Sequence, residues 1–126
     1  MAKKILVIDD EPEIISLMTG WLTHEGYEVI SAQDGDQGLW QIKSQKPDLI
    51  ILDALIPGMT GYQLLEEVKN QSAEIREIPV ILISGRASMR EIETNVFAFV
   101  SKPFDPKDFL EKIRAALKLK QEKDHG

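Results

Sequence analysis

Short apolar segments alternate along this chain with longer segments of helical period. Four segments rich in Ile, Val and Leu have the length and composition of strands buried on both faces of a sheet. They are KILVI (4–8), DLIIL (48–52), PVILI (79–83) and VFAFV (96–100). A fifth segment, YEVISA (27–32), alternates apolar and polar residues more strongly, which favours a strand at a sheet edge.

Apolar residues with a period of about 3.6 predict helices between the strands. The first such helix has its stripe at Ile14, Leu17, Met18, Trp21 and Leu22 and ends before Gly26. The last begins with Asp105 as its N-cap and Pro106 at its first position. Strands that alternate with helices over short connections predict a parallel sheet with helices on both faces, the doubly wound α/β class.

Length and composition limit the domain count and the class of partner. The 126 residues suit one domain, which we expect over 1–120, followed by a C-terminal tail or linker stump at 121–126. The chain has 15 Lys and Arg against 21 Asp and Glu, and its net charge of -6 argues against direct binding to nucleic acid or an anionic membrane. It contains no Cys, and no apolar run long enough for a signal peptide or a membrane span, so we expect a cytoplasmic protein.

Acidic residues follow two of the predicted buried strands. Asp9 and Asp10 come directly after the first strand and Asp53 after the third. Ligands of doubly wound sheets bind at the carboxyl ends of the strands, so the three carboxylates meet if these strands are neighbours. Because clustered carboxylates repel one another, they favour a bound cation, and oxygen ligands suit Mg²⁺.

Two further polar residues end the fourth and fifth strands, Ser84 and Lys102. Each candidate also has a simpler interpretation: Asp10 as a helix cap, Ser84 as a turn residue and Lys102 as a solvated surface charge. Asp53 is harder to explain in this way, because a carboxylate at the end of a buried apolar strand is costly outside a functional site. The coincidence at four strand ends favours a shared site.

Four motifs resemble the receiver domains of two-component response regulators. They are ILVIDDEPE (5–13), LIILDALIPGMTGYQLL (49–65), VILIS (80–84) and SKPF (101–104), and the resemblance covers residues 4–119. It implies a flavodoxin-like, five-stranded parallel sheet of order 2-1-3-4-5. It also implies a phosphoprotein that takes a phosphoryl group from a histidine kinase or a histidine phosphotransfer protein, rather than a conventional enzyme.

The resemblance also assigns roles to residues. Asp53 resembles the phosphoacceptor, and Asp10, Asp53, Asp9 (through water) and the Leu55 carbonyl resemble the Mg²⁺ ligands. The phosphoryl oxygens would be held by the side chains of Lys102 and Ser84 and by backbone N–H groups near Ala54 and Gly85. Ser84 and Phe99 would form the conformational switch, with Ser84 moving toward the phosphoryl group and Phe99 turning inward.

The chain departs from the family pattern between the fourth and fifth strands. Positions 84 and 102 are only 18 apart, which is shorter than the resemblance implies. We therefore expect a shortened fourth helix in this crossover and a protein that stays mainly monomeric.

Two other functions deserve comparison with the phosphoacceptor switch. The main alternative is a receiver-like interaction module that phosphorylation does not regulate, although the presence of Asp53, Ser84 and Lys102 speaks against it. A Mg²⁺-dependent phosphohydrolase is disfavoured because it would have a D-x-D pattern where this chain has Asp9-Asp10-Glu11.

Overall fold

The computed structural model describes residues 2–84, 97–101 and 105–125. Its five strands are β1 (Lys4–Ile8), β2 (Glu28–Ala32), β3 (Leu49–Asp53), β4 (Val80–Ser84) and β5 (Ala98–Ser101). Its helices are α1 (Pro12–His24), α2 (Gly35–Gln45), α3 (Gly61–Lys69), α4 (Ala73–Arg76) and α5 (Pro106–His125). All described strand pairs are parallel, and the order β2-β1-β3-β4-β5 confirms the predicted doubly wound sheet.

Alternating side chains of the strands build two cores, one on each face of the sheet. On one face, the sheet packs against α2, α3 and α4, with Ile8, Leu52 and Leu82 among the buried strand residues. On the other face, Val7 and Ile51 pack with residues of α1 and α5. Helices therefore cover both faces, as the sequence predicts. Among the described residues, no helix has the length and apolar character needed to cross a membrane.

Helix boundaries follow local signals at most positions. The Asp105 carboxylate accepts a hydrogen bond from the Lys107 N–H group at 3.2 Å, which confirms the predicted start of α5. Helix α1 ends at His24, and Gly26 has a φ of 92°, as expected of a glycine that ends a helix.

Two helical segments differ from the sequence prediction. The short helix α4 was not predicted, because its four residues are too few for a periodic pattern, although Ile75 is buried. Helix α5 continues through His125, so residues 121–125 are helical where a tail was expected. Gln, Glu and Lys at these positions are good helix formers. The domain boundary at residue 120 stays a prediction.

The predicted shortening of the fourth family helix concerns the crossover between β4 and β5. That crossover runs through residues 85–96, which lie outside the described ranges. The helix labelled α4 here precedes β4 and is a different element. Both the shortened helix and the monomeric state expected from it remain predictions.

The start of α2 packs closely against the loop that follows β3. A Cβ atom at Gly35 would clash with the Met59 Cβ atom and would lie 2.6 Å from the Met59 carbonyl oxygen. Gly61, the first residue of α3, follows the same loop, and a Cβ atom there would lie 3.0 Å from the Ala54 carbonyl oxygen. Glycine at these two positions therefore lets α2 and α3 hold the loop directly beside the end of β3.

We expect Gly35→Ala to lower the free energy of unfolding by about 1–3 kcal/mol, because the added methyl group displaces the Met59 backbone. Gly20→Ala is the matched control: Gly20 lies within α1, and no atom would lie within 4 Å of an added Cβ atom. This control should raise the free energy of unfolding by about 0.5–1 kcal/mol. Urea denaturation measures both changes, and equal stability of the two variants would contradict the close packing at Gly35.

Candidate functional site

Four carboxylates converge at the carboxyl ends of β1 and β3. Asp9, Asp10, Glu11 and Asp53 each offer a carboxylate oxygen, and these oxygens all lie within 4.8 Å of one another. The convergence follows from the pairing of β1 with β3, in which Ile8 lies opposite Leu52. The structure thus brings together the three acidic residues that the sequence predicts.

Asp9 is the most deeply buried member of the cluster, at 1% exposure. Its N–H group donates to the Ala32 carbonyl at 3.1 Å, which anchors the backbone to the end of β2. Its Oδ1 atom accepts a hydrogen bond from the Glu11 N–H group at 2.9 Å. Two backbone interactions thus orient a buried carboxylate toward the cluster.

Asp53 is the last residue of β3 and is 5% exposed. Its Oδ1 atom accepts a hydrogen bond from the Leu55 N–H group at 3.0 Å. The Ala54 N–H group instead donates to the Ile83 carbonyl at 3.0 Å, so it extends the pairing of β3 with β4. The amide that faces the Asp53 carboxylate here is therefore that of Leu55, and the expected role of the Ala54 amide toward a phosphoryl group stays a prediction.

Asp10 is exposed and does not cap α1. The N-cap residue is Glu11, and its side chain makes no capping hydrogen bond. The simpler interpretation of Asp10 as a helix cap is therefore wrong, and its carboxylate belongs to the acidic cluster. Glu11 is the member of the cluster that the sequence analysis missed; its position beside the Asp pair was the available signal.

The remaining predicted site residues are described only in part. Ser84 is the last residue of β4 and lies opposite Ser101 of β5, but its side chain is outside the description. Gly85 and Lys102 also lie outside the described residues.

Phe99 is half-buried in β5 and packs against the core on the α2, α3 and α4 face. Leu55 is 68% exposed, so its side chain lies at the surface beside Asp53.

The donor set of the cluster fits a hard divalent cation. It consists of carboxylate oxygens, without the nitrogen or sulfur ligands that zinc and copper prefer. Mg²⁺ takes oxygen ligands and retains several waters, and the exposed side of this cluster can admit them. The geometry is therefore compatible with the Mg²⁺ ion that the sequence predicts.

Comparisons with known proteins agree with this arrangement. The model of the Response regulator receiver domain family matches residues 5–114. A CheY-like response regulator receiver domain protein from Methanospirillum hungatei JF-1 has a similar crystal structure, with a TM-score of 0.88 and 30% sequence identity. That similarity covers 98% of this chain and 99% of the other.

Two curated relatives are transcriptional regulatory proteins. PhoB, of the phosphate regulon of Escherichia coli (strain K12), is 34% identical over 122 residues, which are 94% of this chain and 53% of PhoB. PhoP, of alkaline phosphatase synthesis in Bacillus subtilis (strain 168), is 31% identical over 94% of this chain and 50% of PhoP. The chain thus spans about half the length of these curated relatives. Its sheet order, its acidic cluster and the match over residues 5–114 together assign it to the family of response regulator receiver domains.

Proposed function

We propose that this chain is a phosphoacceptor switch in which Asp53 receives a phosphoryl group from a histidine kinase or a histidine phosphotransfer protein. The observation that carries the proposal is the position of Asp53. It is a nearly buried carboxylate at the end of a central strand, held by the Leu55 N–H group and surrounded by three other carboxylates. Membership of the receiver family supports the same role.

The acidic cluster would hold Mg²⁺ through Asp10, Asp53 and the Leu55 carbonyl, with Asp9 acting through a water molecule. Bound Mg²⁺ would offset the negative charge between the Asp53 carboxylate and the phosphoryl oxygens. Asp9 suits the indirect role, because it is the most deeply buried carboxylate of the cluster and its Oδ1 atom is held by the Glu11 backbone. Asp10 suits the direct role, because its side chain is exposed and does not cap a helix.

The transfer itself requires little covalent chemistry from the protein. An Asp53 carboxylate oxygen forms a bond to phosphorus while the bond from phosphorus to the histidine nitrogen of the donor breaks, and that nitrogen keeps the electron pair. The hydrogen bond from the Leu55 N–H group fixes the plane of the Asp53 carboxylate for in-line attack. Ser84, Lys102 and the amides near Ala54 and Gly85 would hold the phosphoryl oxygens, and Leu55 joins these candidates.

The conformational response would pass from Asp53 through Ser84 to Phe99. Ser84 and Phe99 lie on neighbouring strands, and Phe99 lies opposite Leu82 in the register. Phe99 is only half-buried, which leaves it room to become more deeply packed. A switch of this kind needs two packed states that differ by a few kcal/mol.

The partners follow from the same proposal. A cytoplasmic kinase or phosphotransfer protein would approach the exposed side of the acidic cluster. Helix α1 begins at Pro12, directly after the cluster, and exposes Leu17 by 45%. The downstream target or output domain is unknown. The net charge of -6 supports a chain that does not itself bind nucleic acid, and we expect a monomer.

Acetyl phosphate tests the proposed phosphoacceptor. With Mg²⁺ present, the protein should gain one acid-stable, base-labile phosphoryl group, and Asp53→Asn should abolish this gain because no carboxylate remains to attack phosphorus. Asp36→Asn, an exposed change on α2, should label like the natural protein. Intact mass spectrometry reads the result. Equal labelling of Asp53→Asn would refute the assignment and leave an interaction module that phosphorylation does not regulate.

Thermal unfolding tests the proposed metal site. Mg²⁺ should raise the Tm, because it binds the folded state alone. Asp10→Asn should weaken Mg²⁺ binding on the order of tenfold or more and lose most of this rise. In EDTA, the same variant should unfold at a higher temperature than the natural protein, because one charge is removed from a self-repelling cluster. Glu111→Gln, which removes an exposed charge on α5, should keep the Mg²⁺ response; an equal loss in both variants would contradict the site.

The lifetime of the phosphoryl group should depend on Leu55, whose exposed side chain lies two positions after Asp53. An apolar side chain cannot orient the water that attacks the phosphoryl group, so autodephosphorylation should be slow. Leu55→Asn should accelerate it roughly tenfold by supplying a polar contact for that water. Leu119→Asn, at an exposed position of α5, is the matched control. The measurement is the half-life of the phosphoryl group in each variant. An unchanged half-life in Leu55→Asn would count against this role of Leu55.

A further inference from the structure

A lysine of α5 forms a hydrogen bond with the main chain of the edge strand β5. The Lys112 ammonium group donates a hydrogen bond to the Phe99 carbonyl oxygen at 2.8 Å. It also donates to the Asp108 carboxylate, one turn earlier in α5, at 2.9 Å. Asp108 thus keeps the ammonium group in place over the strand, since a charge-assisted hydrogen bond is stronger than a neutral one.

Lys112 contacts the main chain of Phe99 from one face of the sheet, and the Phe99 side chain lies on the other face. The Phe99 ring packs against the core shared with α2, α3 and α4. Its neighbours Ala98 and Val100 pack on the other face, which α5 covers. The described core residues of α5 belong to that other face, so the helix holds the backbone of Phe99 from the face opposite the ring.

The position of β5 explains why a side chain is needed there. Among the described strands, β5 ends the sheet and pairs only with β4. An edge strand directs alternate backbone groups away from its neighbour, and proteins protect such an edge with charged side chains, lysine above all, or with a covering helix or loop. The backbone at Phe99 is consequently held by β4 on one side and by Lys112 on the other.

We propose that Lys112 is a positioning residue for the phosphorylation switch. By fixing the Phe99 carbonyl, it keeps the strand in place while the ring turns, so that a change near Ser84 is converted into side-chain rotation rather than displacement of the edge strand. Asp108 serves the same purpose by orienting the Lys112 ammonium group. The inference rests on the proposed function, because it assumes that Phe99 responds to the state of Asp53.

Two measurements on Lys112→Met test this role. Methionine keeps a flexible apolar stem of similar length but donates no hydrogen bond. Amide hydrogen exchange at residues 98–100 should become about tenfold faster, the factor expected for the loss of one such bond. Fluorine NMR of protein labelled with fluorophenylalanine follows the ring, and Phe99→Leu assigns its signal among the four phenylalanines. The change in this signal on adding beryllofluoride and Mg²⁺ should be smaller in Lys112→Met.

Two control variants separate this role from a general effect on the helix. Lys112→Arg retains a charged donor and should keep most of the protection and of the fluorine response. Lys118→Met, at an exposed position of the same helix, should behave like the natural protein in both measurements. Circular dichroism establishes that each variant is folded.

The outcomes distinguish this inference from the proposed function. If beryllofluoride does not change the Phe99 signal of the natural protein, the switch is refuted. The exchange measurement would then still test whether Lys112 stabilises the backbone of β5. The alternative is that the fluorine signal of the natural protein changes on adding beryllofluoride. If Lys112→Met then shows the same change and the same amide exchange rates, the positioning role alone is overturned. Equal losses in Lys118→Met and Lys112→Met would also overturn it.

Discussion

The parallel pairing of β1 with β3 is the constraint on which the site depends. It places Ile8 opposite Leu52, so the residues that follow, Asp9 and Asp53, emerge side by side. Burying these strands on both faces contributes about 1.5–3 kcal/mol for each large apolar side chain. This burial offsets the repulsion among carboxylates that are held within 4.8 Å of one another. A stable apolar sheet thus supports a polar edge that is unfavourable on its own.

The backbone beside the cluster is held by close packing and by a hydrogen bond. Gly35 and Gly61 allow α2 and α3 to approach the loop after β3 more closely than any side chain would permit. That loop carries Leu55, whose N–H group binds the Asp53 carboxylate. The arrangement sets the direction of the carboxylate before any ligand arrives, which is the kind of preorganisation that phosphoryl transfer requires.

The two edges of the sheet have different roles. The β2 edge anchors Asp9, a member of the acidic cluster, through the Ala32 carbonyl. The β5 edge carries Phe99, whose main chain Lys112 fastens to α5 while its ring faces the opposite core. In the proposed switch, this attachment would separate the part of the strand that stays in place from the ring that turns. In a close-packed interior, such a separation favours discrete states over gradual deformation.

The sequence by itself determined the fold class and the placement of three aspartates at strand ends, because both depend on local pattern. Apolar runs that alternate with helical stripes specify a doubly wound sheet, and the residues at the ends of buried strands must meet at one edge of it. The start of α5 was also predicted from sequence, since Asp at the N-cap and Pro at the first helical position both favour a helix start. Helix α4 was not, because four residues show no period and Ile75 is buried only through contacts made by the folded chain.

Only the tertiary structure decided which backbone groups face the site. Ala54 and Leu55 are adjacent, yet the Ala54 N–H group pairs with Ile83 of β4 while the Leu55 N–H group turns to the Asp53 carboxylate. The choice depends on how far the pairing of β3 with β4 extends, which is a contact between distant segments. The same holds for Lys112 and Phe99, which lie 13 positions apart and meet only when α5 packs across the sheet. Local pattern predicts elements and their ends, whereas the direction of single hydrogen bonds is set by contacts that exist only in the folded chain.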